Sequence, residues 1–447
     1  MSSRSGNSDR DRGPAASALA GGGPPFFGSA ALRSHPAGRR RIVRAVASSE
    51  LNTHHTAPAA SPGRLFVVAL RLGLTSFGGP AAHIGYFRRE YVERRGWLDE
   101  RGFADLLALC QFLPGPASSQ FGFAVGLQRG GLPGGVAAWL GFTLPSAVLM
   151  LLFAAGVHVL PDLVAAGWLK GLKVAAVAVV AQAVWQMGRS LCPDLPRLGL
   201  AAAALLALVL WPAAWVQMAV IGGGALLGWL GLRGRLGSPA PAGESGSAGR
   251  RRAGVAWLVV FAALLLVLPL LGGEGAAVMA RFYRVGALVF GGGHVVLPLL
   301  EVEVVGPGWL NHDEFLAGYG VAQALPGPLF AFSAYLGSLI GTGPGGVVGG
   351  SLALVAVFLP GLLLVLGVWP FWQRVRRIGA AQAALAGANA AVVGVLAAAF
   401  WRPVLPAGVT DVRSLLLALV LFAGLQWAKL PAWAMVLAAA AGGWLWL

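Results

Sequence analysis

Apolar runs long enough to cross a bilayer recur along almost the whole chain, and they constrain its fold more than any other feature. The run from Gly254 to Gly273 holds about 20 residues without Lys or Arg, enough to cross a hydrocarbon layer about 30 Å thick. One such run fits the core of a soluble protein, but roughly a dozen in succession do not, because they are apolar on every face. With 57% hydrophobic and 11% charged residues, the chain is predicted to be an all-α polytopic membrane protein.

The net charge of +16 is concentrated in two low-complexity segments. Residues 1–62 carry eight Arg against three acidic residues, and the stretch from Arg233 to Arg252 carries five Arg against Glu244 alone. Both segments are rich in Gly, Ala, Pro and Ser, which is typical of solvated cytoplasmic arms attracted to anionic lipid. We therefore predict a disordered basic tail and a basic linker, and no nucleic-acid partner.

Two pairs of motifs indicate an internal duplication. Phe77-Gly78-Gly79 reappears 213 positions later as Phe290-Gly291-Gly292, and a Gln-x-x-Pro-Gly-Pro motif reappears after 212 positions. Its members are Gln111, Pro114, Gly115 and Pro116 in the first copy and Gln323, Pro326, Gly327 and Pro328 in the second. In both copies the Gln follows a Trp by 14 positions, so the match does not depend on abundant Gly and Pro alone.

Hydropathy predicts about 13 transmembrane helices. Six are expected before the linker, at about 65–85, 103–128, 134–158, 164–187, 198–211 and 214–231. One connecting span follows at 254–273, with six more at about 282–300, 315–341, 345–369, 378–400, 413–427 and 431–447. The predicted domains are the tail (1–62), a first six-span half (63–231), the linker (232–253), the connecting helix (254–273) and a second six-span half (274–447).

The connecting span predicts that the two halves face opposite ways across the membrane, as in many secondary transporters. With a cytoplasmic N-terminus, the C-terminus lies on the opposite side, and most Arg-rich loops fall inside as expected. Two loops do not: Arg88 to Arg101 would lie outside with five Arg, and Glu301 to Glu314 would lie inside with acidic residues. Functional segments packed against the bundle and a misplaced span explain these exceptions equally well.

The Pro-Gly-Pro motifs predict helix breaks inside apolar spans, since Pro removes a backbone donor and clashes with the preceding turn. Freed backbone groups at membrane depth are tolerated where they face protein or a wet cavity, so such breaks mark binding sites. The Gly pairs of the FGG motifs allow positive φ angles or close backbone approach, although small residues also serve helix packing. A helix that restarts after a break directs its free N–H groups at the cavity, which suits an oxyanion.

Charged residues near these motifs complete the candidate site. Arg88 and Arg89 follow the first FGG segment, and their planar guanidinium groups suit tetrahedral oxyanions, with a solvated loop as the alternative. Candidates for proton coupling or charge pairing are Glu90, Glu301, Glu303, His83 and His294. Neither the seven scattered His residues nor Cys110 and Cys192 have metal-ligand spacing, so no metal and no cofactor are expected.

The segments FGGPAAHIGYFRREYVERRGW, LALCQFLPGP and FTLPS resemble the first-half signature of the chromate ion transporter family. FGGGHVVLPLLEVEVV, GWLNHDEFLAGYGVAQALPGP and VFLPG are similar to its second-half signature, so the chain resembles the two-domain members over about residues 65–400. Val302 stands where a basic residue is expected, which puts the charge pairing of the second half in doubt.

The resemblance implies export of chromate across the cytoplasmic membrane, driven by the membrane potential or the proton gradient, and thereby chromate resistance. It assigns to the anion path Phe77, Gly78, Gly79, Pro80, Arg88, Arg89, Gln111, Pro114, Gly115, Pro116, Phe290, Gly291, Gly292, Gln323, Pro326, Gly327 and Pro328. Sulfate or another tetrahedral oxyanion, or uptake instead of export, are alternatives within the same fold. A membrane-embedded enzyme or respiratory subunit is the remaining class, but the sequence lacks a nucleophile–base pair or haem ligands at workable spacing. The sequence leaves open whether the protein forms a homodimer.

Overall fold

The computed structural model describes residues 60–159, 167–211, 213–233, 248–290, 293–341 and 343–446. These residues are almost entirely helical, in agreement with the predicted all-α class. Most of the predicted basic tail and residues 234–247 of the predicted linker lie outside the described residues.

The helices fall into two sets joined by a connecting helix. The first half contains α1 (Pro62–Thr75), α2 (Gly79–Phe87), α3 (Glu100–Phe112), α4 (Ala117–Val159), α5 (Gly167–Leu191), α6 (Leu195–Leu210) and α7 (Ala214–Gly231). The connecting helix is α8 (Ala248–Val267). The second half contains α9 (Glu274–Leu288), α10 (Val296–Val304), α11 (His312–Ala324), α12 (Phe332–Leu339), α13 (Gly346–Val368), α14 (Trp372–Val375), α15 (Gly379–Ala399), α16 (Leu405–Gly408), α17 (Val412–Gln426) and α18 (Ala432–Trp446). Short π-helical segments extend α2 and α15 at Arg88–Arg94 and Phe400–Val404, and 3₁₀ turns lie at Leu268–Leu270, Gly293–Val295, Leu329–Ala331 and Trp369–Phe371.

Five helices in the described part of the chain are long and apolar enough to cross a membrane, judged by length and composition. They are centred on α4, α5, α8, α13 and α15. Shorter apolar helices, including α6, α7, α17 and α18, accompany them. The architecture is that of a multi-pass helical membrane protein.

Matching helices repeat with the offset that relates the sequence motifs. Helix α3 spans residues 100–112 and α11 spans 312–324, so both bounds differ by 212. Both helices begin at a side-chain cap. The Asp99 carboxylate accepts a hydrogen bond from the Gly102 backbone amide, and the Asn311 side-chain oxygen accepts one from the Glu314 backbone amide, each at 2.8 Å. The duplicated sequence therefore builds the same local structure twice.

The predicted helix breaks are present at the motifs that the structure describes. Gly78 caps α2 with φ +95°, and Gly115 and Gly327 lie between helices with φ +120° and φ +98°. Residues with a Cβ rarely adopt such angles, which explains why these breaks need glycine. Gly291 and Gly292, which were also predicted to lie at a break, are outside the described residues.

In the first half, the chain reverses direction at each break and returns to the edge from which it came. The Ala60 amide, just before α1, donates to the Arg129 carbonyl at 3.0 Å, and the Arg129 guanidinium lies over the ring of Trp97 in the α2–α3 loop. One edge of the bundle therefore holds the start of α1, the end of α2 and the kink of α4 at Gly130 and Gly131. Helices α1 and α2 form one hairpin, and α3 and the part of α4 before the kink form another.

The second half contains the same pair of hairpins. The Arg281 guanidinium in α9 donates to the Glu303 carbonyl near the end of α10 at 3.2 Å, which joins the two arms of one hairpin. The Tyr335 hydroxyl in α12 donates to the Glu314 carbonyl near the start of α11 at 2.9 Å, which joins the arms of the other.

The long helices that follow the hairpins, α4 beyond its kink and α13, run antiparallel to each other. The Trp139 ring contacts the Phe358 ring with centroids 5.7 Å apart, whereas the later residue Leu151 of α4 packs against the earlier residue Gly350 of α13. These two long helices, one from each half, therefore run in opposite directions.

Two ion pairs join one half to the other. Arg376, after α14, pairs with Asp105 in α3, and Lys173 in α5 pairs with Asp313 in α11. Each pair lies near the base of a hairpin from the opposite half, so charged contacts between the halves lie at both ends of the bundle.

Candidate functional site

The hairpin tips of the two halves meet through two equivalent backbone hydrogen bonds. The Gly115 amide donates to the Val289 carbonyl at 2.8 Å, and the Gly327 amide donates to the Ser76 carbonyl at 2.9 Å. In each case the glycine of one Pro-Gly-Pro motif bonds to the residue just before the FGG motif of the other half. These two contacts, called here the tip junctions, place the four sequence motifs around one centre.

Polar side chains surround the junction between Ser76 and Gly327. His83 Nε2 lies 3.2 Å from the Ser76 carbonyl oxygen, and its Nδ1 lies 3.0 Å from the Ser118 hydroxyl. A Cβ added to Gly327 would lie 2.9 Å from the Ser146 hydroxyl, so this position has no room for a side chain. The predicted site residue His83 thus lies in the centre, where it links the start of α4 to the first FGG tip.

The junction between Gly115 and Val289 is closed by an amide side chain. Gln120 Nε2 donates to the Pro114 carbonyl at 2.9 Å and to the Gly361 carbonyl at 3.2 Å. A Cβ on Gly115 would lie 3.0 Å from that nitrogen and 3.1 Å from Gly361 Cα. Gln120 therefore bridges the two halves beside the first Pro-Gly-Pro motif.

Several buried polar atoms at the centre have no hydrogen-bond partner among the described residues. Near the junctions and the starts of the adjoining helices, they are Ser76 Oγ, Ser119 Oγ, Gln120 Oε1, Thr143 Oγ1 and Ser333 Oγ. Buried polar groups are normally paired, so these unpaired atoms are candidate partners for a polar ligand. Four of these five atoms belong to hydroxyl groups, which can donate to an anion.

Four helical segments begin at the tips and extend away from them. They are α2 at Gly79 and Pro80, α4 at Ala117, the 3₁₀ turn before α10 at Gly293, and the 3₁₀ turn before α12 at Leu329. Helix starts carry free N–H groups and a partial positive charge of about +0.5 each. Combined with the unpaired hydroxyls, they create a positive centre that contains no Lys or Arg among its described contacts.

Arg88 and Arg89, the arginines predicted for the anion path, lie away from this centre. Both are exposed at the base of the first hairpin. Arg88 pairs with Glu93 and Glu100 on the same surface, with Nε 3.2 Å from a Glu100 oxygen. The structure therefore favours the alternative considered for them, a solvated segment at the edge of the bundle.

Glu90 is buried at the base of the first-half hairpins. Arg95 Nε and Arg94 Nη1 donate to its two oxygens at 2.6 Å and 3.1 Å, and the Arg95 guanidinium lies over the Trp97 ring. Burial opposes ionisation, but the hydrogen bonds from Arg95 and Arg94 hold the pKa of the Glu90 carboxyl below its usual value.

Glu303 occupies the equivalent position in the second half and has equivalent partners. Arg284 and Arg281 approach its oxygens to 3.0 Å and 3.2 Å, and the Arg281 guanidinium lies 4.5 Å from the centre of the Trp309 ring. The partners come from α9 here, whereas those of Glu90 come from its own segment. Charge pairing, which Val302 had put in doubt for the second half, is therefore present there through Arg281 and Arg284.

The two remaining titratable candidates lie along the arm that follows the second FGG motif. His294, which follows the second FGG motif, bonds through Nδ1 to the Tyr319 hydroxyl at 3.1 Å. Glu301 lies further along α10, with Oε1 3.3 Å from His312 Nδ1.

The other predicted residues surround the centre at different depths. Phe77 is half-buried against Trp433, and Phe290 packs on the main core. Gln111 is exposed, while Gln323 is half-buried beside Tyr319. The two aligned glutamines thus have different surroundings.

Sequence reasoning missed Ser76, Ser119, Gln120 and Thr143, which provide four of the five unpaired polar atoms named above. A usable signal exists, because the polar triplet 118–120 follows a Pro-Gly-Pro break inside an apolar segment. Polar residues at membrane depth are rare and usually functional.

The fold, with apolar helices around this polar centre, is that of a multi-pass membrane protein. The model of the chromate transporter family matches residues 63–229 and 276–444, so the chain belongs to that family, as the resemblance predicted, and each half matches once. A chromate transport protein of Pseudomonas aeruginosa is 29% identical over 354 residues, covering 78% of this chain and 83% of that protein. A chromate transport protein of Cupriavidus metallidurans is 27% identical over 399 residues, covering 87% and 93%.

A shorter relative corresponds to part of the chain. An uncharacterized transporter of Bacillus subtilis is 29% identical over 128 residues, which cover 28% of this chain and 70% of that protein. No solved structure matches the chain.

Proposed function

We propose that the protein moves chromate across the cytoplasmic membrane as a secondary transporter, with the tip junctions as its anion site. The observation that carries this proposal is the set of unpaired buried hydroxyls near the tip junctions, where four helical segments begin and the two halves meet. A tetrahedral dianion satisfies such a site, because N–H and O–H donors from several directions replace its hydration. Donors without full charge also allow release, since no Arg holds the anion.

We further propose that the four hairpins are re-entrant, so that the first-half pair enters from the cytoplasm and the second-half pair from the opposite face. Nine helices then cross the membrane, namely α4 beyond its kink, α5, α6, α7, α8, α13, α15, α17 and α18. The N-terminus is cytoplasmic and the C-terminus lies opposite. Inverted halves with broken helices at the midplane are a recurrent transporter plan.

This topology also accounts for the two loops that contradict the thirteen-span prediction. The segment from Arg88 to Arg101 lies on the cytoplasmic side with its five Arg, and the acidic segment from Glu301 to Glu314 lies on the opposite side. Both placements obey the positive-inside rule.

Export is the favoured direction for a dianion. Moving one charge through 100 mV changes its free energy by about 2.3 kcal/mol, so an interior-negative potential favours outward movement of chromate by about 4–5 kcal/mol.

Alternating access requires the contacts between the halves to open at one face at a time. The ion pairs Arg376–Asp105 and Lys173–Asp313 lie at opposite ends of the bundle and are suited to close the two faces in turn. Chromate resistance follows from export.

Uptake of labelled chromate into everted membrane vesicles tests this proposal. We expect accumulation that depends on the membrane potential, that collapses with an ionophore and that unlabelled sulfate reduces, since both anions are tetrahedral. Vesicles from cells without the protein are the control. Accumulation of sulfate without chromate would instead establish a sulfate transporter of the same fold.

A further inference from the structure

A second charged site lies near the base of the second-half hairpins, in a position equivalent to the surface pair of the first half. Arg88 and Glu100 form that surface pair. Their counterparts, 213 and 212 positions later, are Glu301 and His312, which also contact each other, with 3.3 Å between Oε1 and Nδ1. The contact is thus present in both halves, but Glu301 stands in place of Arg88 and His312 in place of Glu100.

The surroundings of the two pairs differ. The Arg88 and Glu100 side chains are about half exposed, whereas the Glu301 side chain is only 12% exposed. A buried carboxylate is costly unless it is paired or protonated. In the first half the pair is a solvated contact, and in the second half it is an enclosed one.

Glu301 faces a cavity of about 320 Å³ between the two halves. Gln217 from α7 lines the same cavity, is 2% exposed and has an unpaired Nε2, while Arg402 lines it from the π-helical segment after α15. Most of the cavity lining is apolar, but the cavity is large enough to hold ordered water, and the side chains of Gln217, Glu301 and Arg402 offer it hydrogen-bond partners. In the proposed topology, water in this cavity connects Glu301 and His312 to the face of the membrane opposite the cytoplasm.

Most of the other charged groups around the pair have partners of their own. Lys173 of α5 pairs with Asp313 beside His312, and Glu303 of α10 pairs with Arg281 and Arg284 of α9. Glu314 of α11 caps its own helix at Asn311, and Arg402 lies across the cavity. Among the described residues, His312 is the one basic group within ion-pair distance of Glu301.

We propose that Glu301 and His312 form the proton-binding site that couples anion export to proton entry. One proton arrives through the cavity and binds to the pair, which changes from carboxylate and neutral imidazole to carboxylate and imidazolium. The proton is released when the second-half hairpins change position and the pair faces the cytoplasm. This inference rests on the proposed transport function and adds the residues that bind the coupling ion.

Everted vesicles with the membrane potential clamped at zero separate coupling from anion movement. With an acidic lumen, wild-type protein is expected to accumulate chromate, and Glu301→Gln and His312→Gln are each expected to reduce that accumulation about tenfold or more. Exchange of labelled against unlabelled chromate at equal pH needs no net proton movement, so both variants are expected to keep it. Glu100→Gln, at the position equivalent to His312, is the matched control and is expected to behave like the wild type.

The outcomes separate the two proposals. Two results would overturn the proton site alone. In the first, both variants accumulate chromate in response to the pH gradient as well as the wild type does. In the second, the wild type exchanges chromate but its accumulation does not depend on pH. A wild type that neither exchanges nor accumulates chromate would overturn the proposed function and this inference with it.

Discussion

Replacing Gly115 or Gly327 by alanine is expected to lower the initial rate of chromate transport by about tenfold or more, since L-residues at such positive φ values cost roughly 1–3 kcal/mol. At Gly115 the new Cβ would lie 3.0 Å from Gln120 Nε2, and at Gly327 it would lie 2.9 Å from Ser146 Oγ. To relieve either contact, the backbone at position 115 or 327 has to move, which weakens its hydrogen bond to the carbonyl of the opposite half. The measurement is vesicle uptake divided by the amount of protein in the membrane.

Gly122 provides the matched control, because it lies in the first part of α4, after the Pro-Gly-Pro motif of the first half, and a Cβ there meets nothing within 4 Å. Gly122→Ala is expected to transport at the wild-type rate. Full transport by both Gly115→Ala and Gly327→Ala would remove the tip junctions from the mechanism.

Replacing Glu303 by alanine is expected to destabilise the folded protein by about 2–4 kcal/mol, because it leaves two arginines uncompensated; this is less than the roughly 3–5 kcal/mol of a fully buried pair, since both arginines are partly exposed. Arg281 and Arg284 would both lose their carboxylate, and the two arms of the hairpin would lose the charged contact that joins them. The expected result is a lower thermal midpoint in detergent and less protein in the membrane.

Glu93 is the corresponding control, since its side chain is exposed and pairs with Arg88 at the surface. Exposed ion pairs contribute about 0–1 kcal/mol, so Glu93→Ala is expected to leave the midpoint nearly unchanged. Equal midpoints for Glu303→Ala and Glu93→Ala would show that the buried pair does not hold the hairpin.

The sequence predicts the helical class, the duplication and the helix breaks, because each depends on local chemistry. A proline cannot continue a helix at membrane depth, and Gly115 and Gly327 are needed wherever φ is positive. The matched spacing then places the breaks at equivalent points of both halves.

The composition of the centre could not be predicted in the same way. Arg88 is a good oxyanion ligand by residue type, but Glu93 and Glu100 hold it at the surface, and only tertiary structure reveals this. Conversely, Ser76 and Ser119 are unremarkable in the sequence and matter because their hydroxyls are buried without partners. Hydropathy alone also cannot distinguish a crossing helix from two short arms of a hairpin, so it predicts thirteen spans where the proposed re-entrant topology has nine.

Equilibrium binding of radiolabelled chromate to the purified full-length protein tests most directly whether the tip junctions bind the anion. Loss of a hydrogen bond to a charged ligand costs about 1.5–3 kcal/mol, so Ser119→Ala is expected to weaken binding about tenfold or more. Arg88→Gln is expected to bind chromate like the wild type. Binding that is lost in Arg88→Gln and unchanged in Ser119→Ala would contradict an anion site at the meeting point of the two halves.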